Sequence, residues 1–275
     1  FVFKTQRELK AYLSGKECVG FVPTMGALHE GHIALINASK SQNSYTGCSI
    51  FVNPTQFNNQ NDFDKYPITI ANDILLLMEA NCDFLFLPSV LEMYPEGIIK
   101  NKKYDLGYLD TVLEGAHRPG HFNGVCIIVN KLLEAVQPNT LYLGEKDYQQ
   151  CMVIKHLIET LGMAINLVIC PTLRDIDGLA KSSRNMRLGK EARSHATAIY
   201  QCLLYIKENK ENHSFQKLQT ECLTKLREAG FEPEYIALAK ASNLQLLTEF
   251  DMESEMVVLI AATIDQVRLI DNMRL

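Results

Sequence analysis

The chain has no apolar run approaching the roughly 18 residues that a membrane-spanning helix needs, which argues against a membrane partner. Its longest apolar stretch, near Met256–Ala262, suits a buried strand. It also lacks an excess of positive charge: 27 basic residues face 32 acidic ones, for a net charge of −5 over 275 residues. A protein that coats a nucleic-acid backbone is therefore not expected, although a local basic site can still take a small phosphate ligand. None of the eight cysteines (Cys18, Cys48, Cys82, Cys126, Cys151, Cys170, Cys202, Cys222) stands in CxxC spacing, and most sit in apolar stretches. They read as reduced thiols acting as small buried hydrophobes, which points to the cytoplasm. The opening residues Phe1–Arg7 lack the charged-then-apolar layout of a signal peptide, and they do not begin with Met, so the natural start is left open. Internal repeats and low-complexity tracts are missing too. What remains is 47% hydrophobic and 21% charged residues, enough to build one large core or two unequal ones.

Short apolar runs alternate with helix-period stretches, the pattern of a parallel sheet with crossover helices. Strands are expected at Cys18–Val22, Cys48–Val52, Asp83–Leu87, Thr140–Leu143 and Ile165–Cys170. Helices are expected at Glu30–Ser41, Ala71–Ala80, Phe122–Val136 and Tyr148–Leu161. The C-terminal ends of such strands share one sheet edge, where ligands bind in open α/β folds. The pattern changes after Pro171. Thr172–Leu188 reads as a long functional loop or hinge, and helical stripes at Lys190–Lys207 and Phe215–Glu228 follow it. Strand-like runs at Tyr235–Lys240, Met256–Ala262 and Gln266–Asn272 close the chain. The expected fold is α/β: a Rossmann-like parallel sheet with helices on both faces over residues 1–171, plus a smaller C-terminal α+β domain over 172–275.

Several segments at the expected ligand edge carry chemistry. The first strand runs into Pro23-Thr24-Met25-Gly26-Ala27-Leu28-His29-Glu30-Gly31-His32, where a helix begins. Strand, glycine turn and helix start aim backbone N–H groups at an anion. His29 and His32, three apart, project on one side of the first turn and can donate to phosphate oxygens. The spacing is wrong for a zinc HExxH pair, and no Gly-Lys-Ser/Thr follows for a P-loop; two ordinary surface histidines remain an alternative. Asn53 and Gln56 follow the second strand, with amides that both donate and accept. Lys146, Asp147 and Gln150 follow the fourth; a plain solvated helix start is the competing interpretation. In the loop, Ser182 and Ser183 flanked by Lys181 and Arg184 form a phosphate clamp. His117 and His121 in a glycine-bearing basic loop have no carboxylate or thiol at metal-ligand spacing.

Five blocks in this order, PTMGALHEGH at Pro23–His32, VNPTQF at Val52–Phe57, RPGHF at Arg118–Phe122, GEKDYQQ at Gly144–Gln150 and DGLAKSSRN at Asp177–Asn185, resemble the pantoate–β-alanine ligase family. That family lies within the nucleotidyltransferase superfamily and carries a HIGH-type motif. The resemblance implies an ATP- and pantoate-binding first domain and a smaller C-terminal lid domain, in a cytoplasmic homodimer without nucleic-acid partners. It implies condensation of (R)-pantoate with β-alanine to pantothenate, AMP and pyrophosphate through a pantoyl adenylate, with Mg²⁺ held mainly by the ATP phosphates. It places Met25, Gly26, Ala27, Leu28, His29, Glu30, Gly31 and His32 around ATP, with His32 in the acid role. Gly144, Glu145 and Asp147 would line the nucleoside, and Lys146 the phosphates. Leu173 would offer its backbone to adenine. Lys181, Ser182, Ser183 and Arg184 would complete the ATP site, and Asn53, Gln56 and Gln150 would hold pantoate, Gln56 also lying near β-alanine. His29, His32 and Lys146 are the expected catalytic residues.

The sequence departs from the family pattern at Lys181, at Asn58–Asp62 and at Ile68. Lys181 is expected to face solvent rather than phosphate, and the loop Asp175–Leu188 to be mobile without nucleotide and to order over the phosphates with it. Two alternatives stand beside the ligase: a nucleotidyltransferase that leaves the nucleotide on its product, and a non-catalytic nucleotide-binding module.

Overall fold

The computed structural model describes residues 1–58, 60–97 and 103–275. Asn59, within one of the departing runs, lies outside them. The chain divides into two compact units, residues 1–145 with 150–171, and residues 146–149 with 172–275.

The first unit holds β1 (Val2–Phe3), α1 (Gln6–Leu13), β2 (Val19–Thr24), α2 (Glu30–Gln42), β3 (Tyr45–Ile50), α3 (Gln60–Asp64), α4 (Ile70–Glu79), β4 (Phe84–Phe86), α5 (Val90–Met93), α6 (Leu113–His117), α7 (His121–Val136), β5 (Thr140–Gly144), most of α8 (Tyr148–Thr160) and β6 (Asn166–Cys170). The six strands form one parallel sheet in the order β1-β4-β3-β2-β5-β6. β2 and β3 are buried along almost their whole length, as strands covered on both faces must be. Val22, Cys48, Leu85 and Tyr142 pack on one face against Leu35 and Ile36 of α2 and Leu77 of α4. Phe21 and Phe84 turn the other way. There the Phe84 ring meets Tyr12 of α1 edge-on at 6.0 Å, and α1 packs on α7.

The expected strands are present with shifted ends. The second covers Tyr45–Ile50 rather than Cys48–Val52, because the apolar run outlasts the backbone pairing. β1 and α1 went unpredicted, since a two-residue strand and an eight-residue helix give little periodic signal.

The second unit contains α9 (Lys190–His195), α10 (Ala198–Asn209), α11 (Phe215–Glu228), β7 (Glu232–Lys240), β8 (Leu246–Leu247), β9 (Met256–Ile264) and β10 (Val267–Arg274). Its antiparallel sheet runs β10-β9-β7-β8, and its core joins Ile199, Leu203 and Ile206 to Leu218, Leu226, Val258 and Ile260. The single helix expected over Lys190–Lys207 is two helices that break at Ala196–Thr197. The buried positions Ala192, Ala196, Ile199 and Leu203 keep helical spacing across the break, which hides it from a periodicity reading.

The cysteines are free thiols. Cys18 is exposed, Cys82 half-buried and the others buried. Burial pushes the Cys82 and Cys126 thiols up to about 12, so they stay protonated.

Candidate active site

The strand order reverses between β2 and β5, the switch point at which open parallel sheets bind ligands. Pairing there is brief: Gly20 opposes Thr140, Phe21 opposes Leu141, and the ladder stops. β2 continues with β3 for six register pairs, and β5 with β6 for five. At the start of the two strands the seam is closed by Asn139, whose side chain accepts from Val19 N–H and whose own N–H donates to Val19 O, both at 2.8 Å.

On the β2 side, the turn Met25–His32 leads into α2. Gly26 takes φ +84°, a conformation open to glycine, and Ala27 follows at φ +48°. This costly backbone is held by Asp73 of α4, a fully buried carboxylate. Its oxygens accept from Ala27 N–H at 3.0 Å and Leu28 N–H at 2.8 Å, and from the Thr69 hydroxyl at 2.9 Å. Sequence reasoning missed Asp73. Its signal was an acidic residue inside the apolar helix Ile70–Glu79.

His29 is the N-cap of α2. Its Nδ1 accepts from Gly31 N–H at 3.1 Å, and His32 Nδ1 accepts from His29 N–H at 3.3 Å. The two rings lie 4.1 Å apart. With both Nδ1 atoms accepting, the ring proton of each histidine sits on Nε2, beside a helix N-terminus. Neutral imidazole and amide N–H groups suit phosphate oxygens. They do not make a carboxylate cage for a hard cation.

Asn53 and Gln56 also come together with this turn. Asn53 is buried, and its Nδ2 donates to Gln56 Oε1 at 3.3 Å and to Gly124 O at 3.2 Å. Its Oδ1 accepts from the Tyr94 hydroxyl at 2.7 Å. Gln56 Nε2 donates to Met25 Sδ, which ties the amide pair to the Met25–His32 turn. A cavity of about 260 Å³ adjoins the turn, with Met25, Gly26, Ala27, Phe51 and Asp73 among its walls. Gly144 ends β5, and Gln150 is half-buried in α8.

In the second unit, Lys146 Nζ lies 3.6 Å from Asp147 Oδ1. Asn272 donates to Lys146 O at 2.9 Å, and its neighbour Asp271 takes a two-point ion pair from Arg174. Leu173 is 40% exposed, and its carbonyl accepts from Lys181 N–H at 2.9 Å. Ser183 is buried, and Ser182 Oγ accepts from Arg184 N–H at 3.3 Å. Lys181 does not point to solvent as expected: its Nζ pairs with Asp175 at 2.7 Å. Arg193 of α9 grips Asp175 and Asp177 from the other side, and its hydrogen bond to Asp177 holds that carboxyl below the usual carboxylate range. This anchoring by α9 was not legible, because its partners are separated by a stretch without period.

The family model for pantoate-beta-alanine ligase matches residues 2–274. A pantothenate synthetase from Cytophaga hutchinsonii is 47% identical over 260 residues, 93% of this chain and 90% of that protein. One from Bacteroides thetaiotaomicron is 43% identical over 270 residues, 98% of this chain and 95% of the relative. The crystal structure of a Thermus thermophilus pantothenate synthetase superposes with a TM-score of 0.93 at 40% identity, covering 99% of this chain and 98% of that one. A pantoate-beta-alanine ligase from Francisella tularensis, solved in complex with beta-gamma ATP and beta-alanine, gives 0.84 at 36% identity and covers 99% and 97%. The chain belongs to the pantoate–β-alanine ligase family.

Proposed function

We propose that this chain joins (R)-pantoate to β-alanine in two steps, consuming ATP and releasing AMP and pyrophosphate. One observation within the site carries the reading: the Met25–Gln56 contact joins a phosphate-donor turn to a pair of amides suited to a hydroxylated carboxylate. In the first step a pantoate carboxylate oxygen attacks the α-phosphorus, and the bond to the pyrophosphate oxygen breaks. In the second, the β-alanine amine attacks the acyl carbon of pantoyl adenylate and AMP leaves with the bridging oxygen. The nucleophile in each step is a substrate, so the protein positions the reactants and stabilises charge.

We assign His29 and His32 to the phosphates as Nε2–H hydrogen-bond donors, His32 in the acid role by donating to the departing pyrophosphate, and Lys146 to the negative charge that grows on them. Met25–Leu28, Glu30 and Gly31 line the nucleotide. Gly144, Glu145 and Asp147 serve the nucleoside, and the Leu173 backbone the adenine. Ser182, Ser183 and Arg184 clamp the phosphates, while Lys181 acts through Asp175. Asn53, Gln56 and Gln150 hold pantoate, and Gln56 also meets β-alanine. Mg²⁺ would ride on the ATP phosphates and offset their charge, which fits a turn that offers donors to those oxygens. A cytoplasmic homodimer completes the proposal; light scattering on the purified chain tests the dimer.

The deciding assay is exchange of labelled pyrophosphate into ATP. We expect exchange with pantoate and Mg-ATP in the absence of β-alanine. Exchange that needs the amine would remove the adenylate. Turnover that leaves the nucleotide on the product would favour the other nucleotidyltransferase reading.

A further inference from the structure

The run Arg118–Phe122 has no part in the reaction above, yet the helix it opens touches the segment that carries Asn53 and Gln56. His121, the first residue of α7, is 6% exposed, and its Nδ1 lies 2.7 Å from Gln56 O. Its Nε2 lies 3.0 Å from Arg118 NH1. A guanidinium only donates, so Nε2 accepts; Nδ1 therefore carries the proton and donates to the Gln56 carbonyl. Arg118 is itself held by the buried Glu114, whose Oε2 is 3.5 Å from the same NH1. One turn further along α7, Asn53 donates to Gly124 O at 3.2 Å. A side chain at Gly124 would not fit, since its Cβ would stand 2.4 Å from Thr55 O and 2.9 Å from Gln56 Cα. The turn carrying Asn53 and Gln56 is thus seated on the start of α7 by two hydrogen bonds and a missing side chain.

We propose that His121, oriented by Arg118 and Glu114, is a positioning residue that sets the Gln56 amide for the acyl substrate. The inference rests on the reading of Gln56 as a pantoate-holding residue. His121 touches no reacting atom. The bond to the Gln56 carbonyl fixes the backbone from which the side chain extends, and the amide's own bonds to Asn53 and Met25 then set where it points.

The two ring nitrogens can be separated by substitution. In His121→Asn the amide nitrogen falls near the place of Nδ1 and keeps the donor to Gln56 O. In His121→Gln it falls near the place of Nε2 and the donor is lost. We expect His121→Gln and His121→Leu to raise the pantoate KM about tenfold, with the ATP KM changed less than about twofold. A tenfold change corresponds to about 1.4 kcal/mol, within the range for one hydrogen bond to a buried group. His121→Asn should stay within about threefold of the parent. Thermal melts on each variant identify any that fails to fold, and the Asn and Gln pair, equal in polarity, remains decisive if Leu does. Equal pantoate KM values for His121→Asn and His121→Gln, or an ATP KM that rises in step with that of pantoate, would overturn the proposal. Gln56→Ala is measured alongside. A raised pantoate KM there, with His121→Gln at the parent value, removes the positioning role and keeps the Gln56 reading. An unchanged pantoate KM in Gln56→Ala removes both.

Discussion

The turn at residues 25–32 and the loop at residues 172–188 are both assigned above to the nucleotide phosphates, and they are restrained in opposite ways. Under the turn, the fully buried Asp73 takes two backbone N–H groups and a hydroxyl. Hydrogen bonds to a buried charge are worth about 1.5–3 kcal/mol each, and donors stranded by its loss cost more. In the loop, Asp175 and Asp177 pair with Lys181 and Arg193 through side chains that are 21–40% exposed. Pairs of that kind contribute about 0–1 kcal/mol and weaken in salt. Rigid donors therefore stand where two backbone amides must hold one geometry, and exchangeable bonds hold the segment expected to close over the nucleotide. Water exclusion by such a segment would protect an acyl adenylate from hydrolysis.

The severest test of that contrast is Asp73→Ala. It should cut pyrophosphate exchange by about 10²–10³-fold and lower the free energy of urea unfolding by about 3 kcal/mol. A variant with parent activity would show that the turn is not pinned from below. Lys146→Ala and His32→Ala should lose a similar factor in rate, yet change stability by less than about 1 kcal/mol, because each removes a charge-stabilising donor at the end of an element. A stability loss equal to that of Asp73→Ala would put them in the scaffold. Next in size is the acyl pocket: Gln56→Ala and Gln150→Ala should each raise the pantoate KM about tenfold and leave the ATP KM nearly unchanged. Equal effects on both substrates would reassign the amides.

Smaller effects are expected from the loop. ATP should raise hydrogen-exchange protection over 183–187 by about tenfold. The amides of Asp175 and Lys181, bonded to Leu179 O and Leu173 O across the loop, should be better protected without it than those of Arg184 and Asn185, whose bonds to Ser182 are local. Equal protection in both states across 183–187 would mean a preformed loop. Smallest of all, Lys181→Met should alter the ATP KM less than about twofold, as befits a half-exposed pair. A large rise would place Lys181 on the phosphates.

The sequence was most legible where function and fold share a local signature. A glycine turn between strand and helix marks Met25–His32 in the sequence alone, a strand-ending proline marks Asn53–Gln56, and buried parallel strands announce themselves as apolar runs. What escaped has long sequence separation. Asp73 reaches back 46 residues to Ala27, and His121 65 residues to Gln56, and neither span leaves a period or motif. Asp73 looked like one acid in a helix, and His121 like a weak metal candidate. Lys181 is expected in solvent because the family pattern has no charge there, and its partner Asp175, six residues earlier, lies across a loop where spacing carries no geometry.

The short ladder between β2 and β5 has a consequence for how such a site changes over generations. The two peptide ribbons part company after Phe21 and Leu141, so the gap in the ladder is written into the main chain. Substituting the residues that line it alters what fits without closing it, and the sheet keeps its stiffness in the two panels on either side, β1-β4-β3-β2 and β5-β6. A gap built this way leaves the side chains around it free to vary, while the scaffold that creates it stays out of the exchange.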